Sequence, residues 1–277
     1  MLLLLPLSII AQQYDEVWIY PDGNFPERNG HEDDQPNSTD RWTARPYMHI
    51  YQAPEELNTG RTVVCLPGGG YQHLSLVNEG SNWAPYFTGQ GINFVVLAYR
   101  MPYGHDLIPQ TDVYDGIRYL QANAERLHIA PKEIGVMGFS AGGHLASTVA
   151  THAPADVRPA FQILFYPVVS MDTLKTHRGS HDNLIGRHAP QELVDLYSNE
   201  QQVDSLTPPA ILILADDDRA VPSPNAVNYY LSLHAHGIPA TMHVYPSGGH
   251  GFGFKETFAY HESMLQDLRD WLKTLKK

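Results

Sequence analysis

The chain has 277 residues, 43% hydrophobic and 17% charged, which suits one large α/β domain with a full core better than two ordinary ones. Its 18 basic and 30 acidic residues leave a formal charge of −12, a surface that repels nucleic acid and anionic lipid and is neutral toward an uncharged ester. With Cys65 as the single cysteine, an intrachain disulfide and a multi-cysteine zinc site are both excluded.

Met1 to Ala11 is apolar and too short for a stable bilayer anchor. It reads as a signal peptide directing export to the periplasm or the medium, the other reading being an N-terminal strand or tail. No cysteine follows it, which argues against a lipoprotein anchor. Residues 12–277 are then one domain. Tyr20 to Tyr47 is polar and rich in Pro, Asn, Asp and Arg, as expected of a surface loop, and Asn37-Ser38-Thr39 within it matches a glycosylation acceptor.

From there strands and helices alternate. Met48–Tyr51, Arg61–Leu66 and Ile92–Tyr99 read as strands, the last two as nearly unbroken apolar runs suited to a sheet covered on both faces. Cys65 lies in one of these runs and is expected to be buried. Asp112–Leu127 carries Val113, Ile117, Leu120 and Ala124 at helical spacing. Ile134–Gly138 is a short strand and Ala141–Ala150 a helix of small residues. Phe161–Phe165, Ala210–Ala215 and Thr241–Tyr245 are further strands, with helices at Asn225–His236 and Phe258–Leu275. This alternation predicts an α/β fold, a mostly parallel central sheet of about eight strands with helices on both faces. Residues 170–209 break the rhythm, with no strand and many His, Asn, Gly and Ser, and are expected to form a lid or substrate-facing insertion.

Gly138-Phe139-Ser140-Ala141-Gly142 matches Gly-x-Ser-x-Gly between a strand and a helix, the context in which a nucleophilic serine is presented on a sharp turn. Gly138 and Gly142 leave room for the backbone to approach closely, and the helix N-terminus places amides beneath the serine. A hydroxyl needs a base, and His250, in Gly248-Gly249-His250-Gly251 after the last strand, fits the Ser…Asp…His order of such enzymes. The orienting acid should follow Ala210–Ala215, where Asp216, Asp217 and Asp218 stand together; Asp218 is the choice and Asp217 its rival. Leu66-Pro67-Gly68-Gly69-Gly70-Tyr71 follows a strand where oxyanion donors sit, and Gly69, Gly70 and Ala141 are expected to donate through their amides.

Several other groups invite attention. His177, His181 and His188 fall in the insertion, but no carboxylate helix or cysteine accompanies them, so no metal is expected. His144, four residues beyond the serine, reads as a buried structural histidine. Tyr71, Tyr103 and Phe252 stand near cleft loops, and Tyr71, beside the oxyanion glycines, is the best candidate for substrate contact, although core packing accounts for each equally well.

Leu66-Pro67-Gly68-Gly69-Gly70-Tyr71, Glu79-Gly80, Ala98-Tyr99-Arg100, Met137 to Ala146, Ser198-Asn199-Glu200, Thr207-Pro208-Pro209 and Gly249 to Gly253 together resemble a bacterial α/β-hydrolase group. That group contains acetyl xylan esterases and related carbohydrate esterases, some of them feruloyl esterases. The resemblance runs from about Arg61 to the C-terminus and implies a Ser140–Asp218–His250 triad with oxyanion donors in the Gly68–Gly70 loop. Pro67 stands where better-known lipases and esterases carry histidine, which points to a different subgroup. The resemblance implies a serine esterase that needs no cofactor and acts on an acetylated carbohydrate or another small ester. A feruloyl esterase is the alternative, and a non-catalytic carbohydrate-binding relative is a third reading.

Overall fold

The computed structural model describes residues 13–34 and 43–275, so the expected signal peptide and the Asn37-Ser38-Thr39 acceptor lie outside the described residues. Eight strands form one sheet: β1 (Asp15–Trp18), β2 (Tyr47–Tyr51), β3 (Thr62–Leu66), β4 (Asn93–Ala98), β5 (Ile134–Phe139), β6 (Gln162–Phe165), β7 (Ala210–Ala215) and β8 (Ala240–Tyr245). Their order is β1-β2-β4-β3-β5-β6-β7-β8. Only the pairings of β2 with β1 and with β4 are antiparallel; the rest are parallel. Every residue of β3, β4, β5, β6 and β7 is buried. Side chains alternate between sheet faces, so both faces of the central strands are covered.

Seven of these strands coincide, within a residue at most ends, with the apolar runs read from the sequence. The eighth, β1, is an edge strand of sequence Asp-Glu-Val-Trp with its residues largely exposed. A solvated edge has no apolar alternation to announce it. The sheet is flanked by α1 (Ala84–Thr88), α2 (Leu107–Ala122), α3 (Ala141–His152), α6 (Pro224–Ala235) and α7 (His261–Thr274), while α4 (Arg178–Leu184) and α5 (Gln191–Leu196) lie in the 170–209 insertion. Helix α2 starts a turn before the expected Asp112, because Pro109 falls in its first turn, where a missing N–H costs nothing.

The loop read as surface at Tyr20–Tyr47 is pinned to the core by a buried cation. Arg100, fully buried, holds Asp112 at 2.7 Å and Glu32 at 3.4 Å and donates to the Glu27 carbonyl at 2.8 Å. Tyr20 and Phe25 cover the same guanidinium with their rings.

The strand order also decides where a site belongs. From β3 the chain winds outward to β4, then crosses back over β3 to β5 and continues the other way through β6, β7 and β8. The loops leaving the carboxyl ends of the neighbouring strands β3 and β5 therefore run in opposite directions. A crevice opens between them, the position at which such sheets bind ligands.

Candidate active site

Ser140 leaves β5 at that switch point. Its backbone sits at φ 53°, ψ −119°, a region an L-residue occupies only under strain on the order of 1–3 kcal/mol. The surroundings hold it there: its amide donates to the Phe165 carbonyl at 3.0 Å, and its own carbonyl accepts from Val168 at 3.0 Å and His144 at 3.1 Å. Gly142, two residues on, lies so close to β3 that a β-carbon there would stand 2.0 Å from the Leu66 carbonyl oxygen. Only glycine lets α3 start this near the sheet. Although Ser140 occupies the N-cap of α3, its side chain makes no capping hydrogen bond. Its Oγ instead stands 2.8 Å from Nε2 of His250.

The other imidazole nitrogen of His250, Nδ1, is 2.7 Å from Oδ2 of Asp218. An ionised carboxylate only accepts, so the ring carries its proton on Nδ1 and offers a bare Nε2 to the serine hydroxyl. The side chain of Asp218 is 2% exposed, and its second oxygen accepts from the amides of Ala220 at 2.9 Å and Val221 at 3.0 Å. Burial would raise its pKa, but the His250 hydrogen bond, the two amides and the imidazole charge together hold it below the ordinary carboxylate value. Asp217, its rival by sequence, is exposed and accepts from the Gly249 amide at 2.7 Å, so it shapes the loop that carries His250. The carboxylate facing the imidazole is that of Asp218.

Across the crevice, the loop after β3 offers backbone donors. Gly69 takes φ 141°, and a β-carbon on it would stand 2.0 Å from the His73 carbonyl oxygen. Among the described residues the amides of Gly69, Gly70 and Ala141 donate no hydrogen bond, whereas the Gly68 amide is taken by Oε2 of Glu79 at 2.9 Å. Two loop amides and one helix N-terminal amide are thus left for a ligand oxygen near Ser140.

Tyr71 is a correction. Expected to touch substrate, it points inward and is 2% exposed. Its backbone turns at φ 58°, its hydroxyl pairs with Nδ1 of His144 at 2.9 Å, and its ring packs edge-on to Tyr99. The positive φ that ends the glycine loop swings its side chain beneath the loop. His144 is fully buried, and its Nε2 donates to the Tyr197 carbonyl at 2.8 Å. Phe252 stacks on Phe258 in the core, and Tyr103 packs against His31 and does not line the cavity that holds Ser140.

Glu79, quoted in the sequence only as part of a motif, ties the two halves of the site together. While Oε2 holds the Gly68 amide, Oε1 accepts from the Tyr166 hydroxyl at 2.7 Å, and that hydroxyl in turn accepts from the Gly253 amide at 3.0 Å. The glycine loop and the His250 loop are thereby braced through one buried carboxyl, whose pKa burial pushes up. Tyr166 also lays its ring edge-on to His250 with centroids 4.8 Å apart.

A cavity of about 500 Å³ opens over Ser140, His250, Gly69 and Gly70. Polar side chains of Gln72, Asn78, Lys255 and, from the insertion, His177 and Asn183 are among its other lining residues. Asn183 donates to the Gly70 carbonyl at 2.8 Å. His181 and His188 do not join His177: His181 is buried against Asp182 at 2.9 Å and His188 is exposed. Among the described residues no group of three or more His, Cys, Asp or Glu side chains is arranged to hold a metal ion, and no helix is long and apolar enough to cross a membrane.

A family model described as the alpha/beta hydrolase fold matches residues 63–254. An acetylxylan esterase of Xylanibacter ruminicola is 45% identical over 221 residues, 78% of this chain and 46% of that protein. An endo-1,4-beta-xylanase B of Butyrivibrio fibrisolvens is 32% identical over 68% of this chain and 32% of its own length. The chain thus spans about half, or less, of these curated relatives. A crystal structure of an acetyl ester-xyloside bifunctional hydrolase from Caldicellulosiruptor lactoaceticus superposes with a TM-score of 0.80 at 29% identity, covering 96% of this chain and 98% of that one.

Proposed function

The chain belongs to the alpha/beta hydrolase fold family, and from that premise we propose that it is a serine carboxylic ester hydrolase removing acetyl groups from xylan or acetylated xylo-oligosaccharides. The observation that carries this reading is the pair of hydrogen bonds from Ser140 to His250 and from His250 to Asp218, 2.8 and 2.7 Å, beneath unengaged amides in one cavity. A carbohydrate-binding relative would need no such relay.

The chemistry follows from the hydrogen-bond roles. Nε2 of His250 takes the Ser140 proton as Oγ attacks the ester carbonyl, and Asp218 stabilises the resulting imidazolium through Nδ1–H. The amides of Gly69, Gly70 and Ala141 receive the negative charge on the carbonyl oxygen, each well-aimed donor contributing roughly 3 kcal/mol in the transition state. Imidazolium then gives its proton to the sugar oxygen as the bond from the carbonyl carbon to that oxygen breaks, leaving acetyl-Ser140. Nε2 next takes a proton from the water that attacks the acetyl carbonyl and returns it to Oγ as acetate leaves. The Gln72, Asn78, His177 and Asn183 side chains in the cavity wall offer hydrogen-bonding partners to a polyhydroxylated alcohol, and the names of the Xylanibacter and Caldicellulosiruptor proteins support an acetylated xylose-based substrate.

Ser140→Ala is expected to lower p-nitrophenyl acetate hydrolysis by about 10⁴-fold or more. The wild-type chain is expected to release acetate from acetylated xylan in preference to ferulate from methyl ferulate. An unchanged rate in Ser140→Ala overturns the mechanism, and a preference for ferulate overturns the acyl group.

A further inference from the structure

We infer that His177, in the insertion, is a specificity-determining residue whose Nε2–H donates a hydrogen bond to an oxygen on the alcohol half of the ester, a hydroxyl or ring oxygen of the sugar. This rests on the esterase reading above and deepens it.

Three observations carry it. His177 is the N-cap of α4, and its Nδ1 accepts the Ser180 amide at 3.2 Å, with the Ser180 hydroxyl at 2.9 Å on the same nitrogen. A backbone amide can only donate, so Nδ1 carries no proton and the neutral ring must hold its hydrogen on Nε2. Ser180 is fully buried, so protonating Nδ1 would strand its amide without an acceptor. The tautomer is therefore locked by the main chain.

Next, Nε2 has no hydrogen-bond partner among the described residues, while the ring lines the cavity that holds Ser140 and His250. Its Cε1 lies 3.5 Å from where a β-carbon of Gly70 would stand and 3.0 Å from that of Gly179, which wedges the ring between the glycine loop and its own helix. Burial and the nearby His250 charge lower its pKa, keeping the ring neutral while the relay works. The cavity thus contains a fixed donor with no acceptor face. The oxyanion already has three amides, and the His177 ring packs beside Gly70, which carries one of them, so the oxygen it meets is a neighbouring one. In a sugar ester that neighbour is a hydroxyl or ring oxygen. In p-nitrophenyl acetate the alcohol half carries no sp³ oxygen beyond the ester itself.

Two substitutions separate the cap from the donor. Asn in His177→Asn keeps a side-chain acceptor for the Ser180 amide but has nothing at the Nε2 position. Gln in His177→Gln places an N–H near Nε2 and weakens the cap. Steady-state kinetics on acetylated xylo-oligosaccharides and on p-nitrophenyl acetate, with thermal unfolding alongside, read the difference. His177→Asn is expected to lose about 10- to 30-fold in kcat/KM on the oligosaccharide, mostly through KM, at an unchanged unfolding temperature. That loss should be at least fivefold larger than its loss on p-nitrophenyl acetate, and His177→Gln should regain most of it.

Equal losses on both substrates, or a greater loss in His177→Gln than in His177→Asn, overturn the assignment and leave a helix cap. If the wild type cleaves p-nitrophenyl acetate but no acetylated sugar, the substrate reading falls and this role falls with it. If it cleaves both and the Asn variant shows no preference in its loss, only the role of His177 falls.

Discussion

At the carboxyl end of β5 the chain presents Ser140 from a turn held by backbone contacts, whereas residues 170–209 reach the same cavity with side chains at the start and end of α4, His177 and Asn183. The first region is built by exclusion: Gly142 meets the Leu66 carbonyl, and the amide of Ser140 is taken by Phe165. The second is held by polar side chains, with Asn183 on Gly70, Tyr197 on Asp106, and Asn199 on Ser147 at 2.8 Å. The contrast teaches a division of labour. Under the proposed function, backbone geometry fixes where the ester is attacked, and the insertion supplies side chains around that point.

The comparison breaks first at the relay. Asp218→Asn is expected to lower kcat on p-nitrophenyl acetate by about 10³- to 10⁴-fold, because an amide in place of the carboxylate can favour the wrong imidazole tautomer. Asp217→Asn should cost only a few-fold, since its contact is one amide in the loop carrying His250. Matching losses in the two variants would mean that the loop, and not the carboxylate facing the imidazole, sets the rate.

His144 joins the two regions, lying on α3 with one nitrogen on Tyr71 under the glycine loop and the other on the carbonyl of Tyr197, just after α5 in the insertion. Burial pushes its pKa down from 6.5 to about 4. The unfolded chain therefore takes up the proton first. The contribution is fully present above pH 6.5 and is lost as pH falls from there toward 4, to a total of about 3 kcal/mol. Urea unfolding of the wild type and of His144→Gln at pH 7 and pH 4.5 should show the variant losing less stability on acidification. Parallel losses would sink this account.

The mildest test lies in the insertion. Asn183→Ala removes the hydrogen bond to the Gly70 carbonyl and should reduce kcat/KM about three- to tenfold, the scale of one hydrogen bond of about 1 kcal/mol, with the unfolding midpoint little changed. If activity is untouched, the insertion does not hold the glycine loop, and its influence is confined to direct contact with substrate.

Much of the sheet could be read along the chain because parallel strands covered on both faces must be continuous apolar runs, as Thr62–Leu66 and Asn93–Ala98 are. Strand β1 escaped because an exposed edge imposes no such pattern. Ser140 was legible because strand, sharp turn and small-residue helix are consecutive in sequence, and His250 because glycines surround it directly after a strand. Glu79 gave only a dipeptide, and its partners Gly68 and Tyr166 lie 11 and 87 positions away, with Gly253, the donor to Tyr166, a further 87 beyond. Tyr71 was misplaced because its direction depends on a positive φ and on a histidine in another element.

By itself, then, the sequence determined the class of fold and pointed to Ser140 and His250, the nucleophile and base of the proposed mechanism, since each is written in residues that are neighbours along the chain. The tertiary structure alone turned Tyr71 inward, engaged the Gly68 amide with Glu79 and fixed the tautomer of His177, and it set Asp218, the residue preferred by sequence, against the imidazole while Asp217 took the Gly249 amide. Those decisions rest on which donor meets which acceptor across elements far apart in sequence. Such meetings are set by crossover and register, and no local pattern records them.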